Sequence, residues 1–347
     1  MSDARNHLAE RFRWQARWCD RLGSKLYAAL LVPVAENLAG GGPIWSVVEP
    51  QAEAPDDDAV PLRFMGAVHR LVLRGDAPDL ARFYPSAGGT ERGDAWPAFR
   101  ATVEANVDEL RELALRPVQT NEVGRSGALV GGFLQVAKET GLPLRILETG
   151  ASAGLNLRWD RFRYEARGAT WGPTDSPVRL CDYNSERPLP FDVVAEVIGR
   201  AGCDINPLDP RRDEDRQTLL AYVWPDQVAR IRLLRAALDV AQRVPADVEK
   251  ATAAAWLEER LAEDSVGVAT VVYHSIFFQY MSGDEAQRFE TVLNEAGARA
   301  TSEAPLAWLR LEPGGEQAKV RLTMWPGGEE RLLATSGFHG AAVRWLH

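Results

Sequence analysis

The chain has 347 residues, 46% of them hydrophobic, and a formal net charge of -9. Such an apolar fraction supports a real core and excludes disordered and collagen-like chains, and an acidic balance without basic clusters argues against a general nucleic-acid footprint. No apolar run approaches about 18 residues and Ser2 to Arg17 is polar and charged, so neither a membrane span nor a secretory signal is expected. Cys19, Cys181 and Cys203 form no C-x-x-C pair, which fits a reducing compartment and predicts a soluble, cytoplasmic protein. His7, His69, His274, His339 and His347 never fall at metal-ligand spacing, so no metal is expected.

From Ala4 to Val34 the apolar residues Phe12, Trp14, Trp18, Leu22, Leu26 and Leu30 recur at helical spacing and predict one or two amphipathic helices. A Gly-, Pro- and Asp-rich linker follows from Gly40 to Asp58, then helices over Leu62 to Leu73 and Ala98 to Leu115. No strand pattern interrupts this stretch, so residues 1–117 read as a helical N-terminal region and 118–347 as an α/β domain. A further helix runs from Asn121 to Gly141, where glycine and Pro143 end it. Its start, Q-T-N-E-V-G-R-S-G, crowds Asn121, Glu122 and Arg125: a capping box with a solvated face, or substrate contacts from Asn121 and Glu122 and a carboxylate contact from Arg125.

Leu144, Ile146 and Leu147 then read as a buried strand closed by Glu148, and Gly150, Ala151, Ser152, Ala153 and Gly154 supply a small-residue turn before a helix start at Leu155, Asn156 and Leu157. A strand feeding a helix through such a turn is a nucleotide-cradle geometry. The carboxylate two residues before the first glycine repels a pyrophosphate and welcomes an ammonium. An insertion over about 160–190, holding Tyr164, Trp171 and Tyr183, separates this turn from the next strand signals. Val193 to Ala201 has a helical look and leads into G-C-D-I-N-P, where Asp204 either closes a second strand or caps the turn. Leu219 to Val244 reads as one long helical stretch, and Trp224, Pro225 and Asp226 belong to the site or break that helix. Asp247 in P-A-D-V marks a third strand or a helix N-cap.

A helix over Ala251 to Leu261 precedes the β-branched run Ala269 to Val272, which predicts a fourth strand ending in Tyr273, His274 and Ser275. Ligands of parallel sheets bind outside the carboxyl ends of strands, so these three are candidate site residues, with His274 a candidate base or a satisfied core histidine. A helix over 285–296 is followed by short strands at Leu306 to Leu311, Val320 to Trp325, Leu332 to Thr335 and Ala341 to Leu346, whose P-G-G turns predict antiparallel hairpins.

The spacing of Glu148, Gly150, Ser152 and Gly154 resembles the first motif of class I S-adenosylmethionine-dependent methyltransferases, with Ser152 in place of the middle glycine, and the antiparallel tail resembles that family's sheet. The resemblance implies a Rossmann-like, class I methyltransferase fold with S-adenosylmethionine at Glu148, Gly150, Ser152, Gly154 and Asn156. It further implies Asp204 on the ribose and Asp247 on the adenine amino group; placement at the fourth strand's end makes His274 and Tyr273 candidate catalytic groups and Ser275 a candidate contact to a small-molecule substrate, and Arg125 pairs with the donor's carboxylate if its helix packs over the ligand. The combination T-N-E-V-G-R-S-G, E-T-G-A-S-A-G-L-N-L, G-C-D-I-N-P-L-D, Y-V-W-P-D-Q and V-V-Y-H-S resembles, over nearly the whole chain, a bacterial family known as domain of unknown function 2332.

Three rival readings stand beside it. One is a non-catalytic module of the same fold, since Ser152 replaces a glycine and no N/D-P-P-Y motif follows the fourth strand. A second is a NAD-binding protein, disfavoured by Glu148. The third is a C-x5-R phosphatase at Cys181 to Arg187 with W-P-D at 224–226, which Asp182 and Glu186 reject because they would repel a phosphate.

Overall fold

The computed structural model describes residues 2–56, 58–262 and 265–347, so residue 57 of the expected linker lies outside the described residues. The chain divides into two compact units, one formed by residues up to Thr120 together with Asp213–Arg232, the other by Asn121–Arg212 and Leu233–His347.

The first unit is helical. Helix α1 (Ser2–Arg21) buries Leu8, Phe12 and Cys19 on one stripe, and α2 (Lys25–Ala39) starts at the N-cap Ser24. Beyond them come α3 (Pro43–Val48), α4 (Val60–Arg74), α5 (Pro78–Ala81), α6 (Trp96–Ala105) and α7 (Val107–Ala114). The helix expected over Ala98 to Leu115 is thus two, parted at Asn106, whose backbone (φ -132°, ψ 30°) leaves the helical region.

The single helix expected over Leu219 to Val244 is also divided, because Pro225 bars Trp224 from helical geometry. Its pieces, with the segment leading in, are α9 (Asp213–Ala221) and α10 (Val228–Arg243), separated by the V-W-P-D-Q link. The 213–232 segment locks into the helical unit. The Tyr222 ring lies where a Cβ on Gly66 would be, and Arg70 donates to the Thr218 hydroxyl at 2.6 Å. Asp226 accepts the Ser24 hydroxyl at 2.6 Å and the Leu26 N–H at 2.9 Å, so the acid of W-P-D is spent at the start of α2.

The second unit is built on an eight-stranded mixed sheet. Helix α8 (Arg125–Thr140) leads into β1 (Leu144–Thr149), after which the chain makes a small sheet of β2 (Arg163–Ala166), β3 (Ala169–Trp171) and β4 (Arg179–Leu180) in the order β3-β2-β4. This small sheet fills the expected insertion. The large sheet continues with β5 (Val197–Asp204), β6 (Asp247–Lys250), β7 (Ala269–Ser275), β8 (Leu306–Pro313), β9 (Ala318–Trp325), β10 (Glu329–Ser336) and β11 (Arg344–Trp345). Its order is β11-β10-β9-β8-β7-β1-β5-β6; β6, β5, β1, β7 and β8 run parallel, and β9 to β11 extend it antiparallel.

One expectation fails at β5, and at β6 one of two alternatives is decided. The stretch with a helical look, Val193 to Ala201, ends inside β5, because pairing of Val197 to Cys203 with Leu144 to Thr149 overrides the local pattern. Asp247 is no helix N-cap: it opens β6, paired with Ala201.

Strand alternation sorts the core into two faces. Leu147 and Val272 face Trp256 and Leu257 of α11 (Ala253–Arg260) and Phe289 and Leu293 of α12 (Gly283–Arg299), whereas Tyr273 meets Phe133 of α8 on the other face with ring centroids 5.0 Å apart. The chain adds β5 and β6 on one side of β1 and β7 and β8 on the other. That reversal makes the carboxyl ends of β1 and β7 the topological switch point, where open α/β sheets form their crevice.

Candidate functional site

The turn after β1 is defined by its backbone. Gly150, Ser152 and Gly154 have φ of 66°, 53° and 64°, so every second residue is left-handed. Glycine takes that conformation freely, whereas at Ser152 it costs about 1–2 kcal/mol, which the surroundings must supply. They do so with hydrogen bonds. Ala151 N–H donates to the Cys203 carbonyl at 3.0 Å, Ser152 N–H to Asp204 Oδ2 at 2.8 Å, Gly154 N–H to the Ala151 carbonyl at 2.7 Å and Leu155 N–H to Asn121 Oδ1 at 2.8 Å. With these donors engaged inside the protein, the turn is poorly suited to cradle a phosphate.

The expected helix start is a seven-residue 3-10 turn, Leu155–Arg161, kinked at Arg158. The Arg158 side chain folds back across the kink, donating from Nη1 to the Gly154 carbonyl at 2.5 Å and from Nε to the Val244 carbonyl at 2.9 Å. The segment that follows the turn therefore offers it no α-helix N-terminus.

The start of α8 holds the turn from the other side. Asn156 Nδ2 donates to the Glu122 carbonyl at 3.2 Å and its Oδ1 accepts the Ser126 hydroxyl at 2.7 Å, while Arg125 reaches the carbonyls of Phe338 at 3.1 Å and Ser275 at 2.9 Å. Glu122 Oε1 accepts the Gly124 N–H at 3.3 Å. The structure thus brings Asn121, Glu122, Arg125, Gly150, Ser152, Gly154, Asn156, Asp204 and Ser275 into one region.

Glu148 and Tyr273 lie beneath the turn, paired across β1 and β7. Glu148 is only 2% exposed, and burial raises its carboxyl from 4.5 to about 8, against the weaker opposite pull of the Tyr273 hydroxyl and Arg158. Thr149 Oγ1 and Trp159 Nε1 are buried beside them without hydrogen-bond partners among the described residues. Burial likewise holds the Tyr273 hydroxyl well above the usual phenol range. A carboxyl so placed is largely neutral near pH 7, so it does not offer the fixed negative charge that its position in the sequence suggests. The adjoining surface is covered as well: a Cβ on Gly150 would lie 2.2 Å from the Phe277 ring, which packs directly on the glycine.

His274 points to the opposite face. Its Nδ1 lies 2.7 Å from Glu312 Oε1, and Trp308 Nε1–H donates to its Nε2 at 3.0 Å. Indole nitrogen is only a donor, so Nε2 carries no proton and Nδ1–H is the donor to Glu312. The same Glu312 oxygen accepts the N–H groups of Phe277 and Phe278, and its carboxyl is held below the usual range, against burial, chiefly by the bond from His274. The imidazole is fully buried with both nitrogens engaged. This corrects the expectation of a catalytic base: His274 anchors the loop after β7.

Open space lies on the β5–β6 side of the turn. A cavity of about 470 Å³ is lined by Ala153, Arg158, Leu208 and Asp209 together with Asp247 and Val248 of β6. Asp204 stands between turn and loop, accepting Ser152 N–H on Oδ2 and Asn206 N–H on Oδ1, both at 2.8 Å. Of the cavity's lining, the sequence reading singled out Asp247 but not Arg158, whose only signal was its place four residues past Gly154. It also missed Phe277, which read as part of an apolar run.

Among the described residues, no group of three or more His, Cys, Asp or Glu is placed to hold a metal, and no helix is long and apolar enough to cross a membrane. The chain belongs to the bacterial family of domain of unknown function 2332, whose model, described as an uncharacterized protein conserved in bacteria, matches residues 9–345. No curated protein and no solved structure matches the chain.

Proposed function

We propose that this member of the family is a cytoplasmic enzyme that binds S-adenosylmethionine beside the 150–154 turn and methylates a small-molecule acceptor. The observation that supports the reading most is the tie between turn and neighbouring strand. Asp204, at the end of β5, takes the Ser152 N–H on one oxygen and the Asn206 N–H on the other and keeps a lone pair on each for a vicinal diol, while the cavity of about 470 Å³ is lined by Ala153 of the turn and by Asp247. The parallel strands closed by an antiparallel edge are in keeping with a class I methyltransferase-like sheet.

Asp204 would hold the ribose and Asp247 the adenine amino group, with the turn backbone against the sulfur end. The donor supplies an activated methyl group. What the chain contributes is alignment, since bringing donor and acceptor into line supplies most of the rate in such a displacement. The Asn121, Arg125 and Asn156 bonds keep the turn rigid for that purpose. Contact with Gly150 itself requires the Phe277 ring to move aside.

The engagement of both His274 nitrogens and the interior position of Glu148 favour a second reading, a non-catalytic ligand-binding module. A NAD site has little support, because the turn N–H groups already have acceptors. Thermal melting with S-adenosylmethionine, S-adenosylhomocysteine, NAD and ATP tests the binding, since a ligand that favours the folded state raises Tm by mass action. The first two should raise Tm, and Asp204→Asn should reduce the rise. Stabilisation by NAD or ATP alone would overturn the reading; binding without S-adenosylhomocysteine formation across an acceptor panel would select the module.

A further inference from the structure

Arg158 is a cation sealed into the second unit without a carboxylate. The residue is 2% exposed; Nε donates to the Val244 carbonyl and Nη1 to those of Ala153 and Gly154, while Nη2 donates to nothing among the described residues. Burial lowers its guanidinium only to about 10, so it stays charged at neutral pH. Glu148, the acid whose field reaches it, is itself largely protonated there. Buried charges are ordinarily paired, because leaving water unpaired is costly.

Arg158 is among the residues that line the 470 Å³ cavity, and Nη2 is the guanidinium nitrogen without a protein acceptor among the described residues. The acids around that cavity are committed elsewhere or face solvent. Asp209 clamps the exposed Arg211 through both oxygens, Glu249 is taken by Arg260 and by Trp256 Nε1, and Asp247 is exposed where β6 begins. Much of the remaining wall is apolar, with Pro207, Leu208, Pro245 and Val248.

We infer that this cavity binds a small molecule bearing a carboxylate or phosphate, with that group seated on Arg158 and an apolar body against Pro207, Leu208 and Val248. The inference does not depend on the methyl-donor reading, because any ligand of the cavity meets the same unpaired guanidinium.

Thermal melting of the full chain in inorganic phosphate or acetate, against chloride at equal ionic strength, tests it. Either anion should raise Tm above the chloride control, and the stronger of the two names the group. Adenosine monophosphate and adenosine, the same body with and without a phosphate, should differ about 10-fold or more in Kd, the scale of one charge-assisted hydrogen bond. Arg158→Gln should erase both differences. Because that variant also loses carbonyl contacts, Ala246→Phe, which fills the cavity and leaves Arg158 in place, should erase them too. No gain over chloride, or a gain that survives in both variants, overturns the proposal. Protection by phosphate with no response to S-adenosylmethionine would support it and count against the methyl-donor reading alone.

Discussion

Replacing Glu148 by Gln should make the chain more stable, and by an amount that grows with pH. The wild-type carboxyl titrates at about 8 when folded and near 4.5 when free. Between those values the folded chain keeps a proton that the unfolded chain has released, so wild-type stability falls as pH rises through that window and levels off above it. At about 1.36 kcal/mol per pH unit, the full span corresponds to about 5 kcal/mol, an upper bound because water entry and local relaxation would relieve part of it. Glutamine has no proton to lose and carries no charge to desolvate. The difference between E148Q and wild type should therefore be near zero at pH 4.5, reach about 2–3 kcal/mol at pH 6.5 and be largest at pH 8. Denaturant unfolding of both proteins at those three pH values measures it, with every other titrating group cancelling in the comparison. A difference that is flat with pH would show that Glu148 is ionised and solvated in the folded chain, and the burial argument would fail.

Three further changes probe the framework. Gly150→Ala places a side chain at a φ of 66° and 2.2 Å from the Phe277 ring, and should cost about 2–4 kcal/mol; adding Phe277→Ala should cost less than the two single changes together, read as a double-mutant cycle. Asp160→Ala strips the partner from Arg200, which it holds through two bonds of 2.7 and 3.0 Å with both side chains nearly buried, and should cost about 3–5 kcal/mol in denaturant unfolding. Asp226→Ala removes the carboxylate at the start of α2 and should cost about 1–2 kcal/mol, with amide exchange rising at Leu26 and leaving the sheet of the second unit unchanged.

Elements with strong periodicity were legible in the sequence. The helices over Ala4 to Val34 and Leu62 to Leu73, the strand from Leu144, the β-branched run from Ala269 and the hairpin of β8 and β9 lie where their patterns predict, whereas the expected helix over Ala98 to Leu115 splits at Asn106 and the expected linker from Gly40 holds α3. Weakly patterned segments were not. Val197 to Asp204 became a strand because β1 and β6 flank it, and a half-exposed partner of two strands carries little alternation of its own. The 213–232 segment gave no sign that it packs with the N-terminal helices, since Tyr222 meets Gly66 across a separation that no local pattern records.

By itself the sequence determined the acid, the small-residue turn and their place at the end of a strand, because strand alternation and backbone freedom are local properties. Tertiary structure alone decided what those residues can do. Cross-strand pairing turned Glu148 inward beside Tyr273, where burial neutralises it. Packing laid Phe277 on Gly150 and locked His274 between Glu312 and Trp308. The open space came to rest beside a buried arginine, because charge and exposure depend on what surrounds a side chain, and those neighbours arrive from distant parts of the chain.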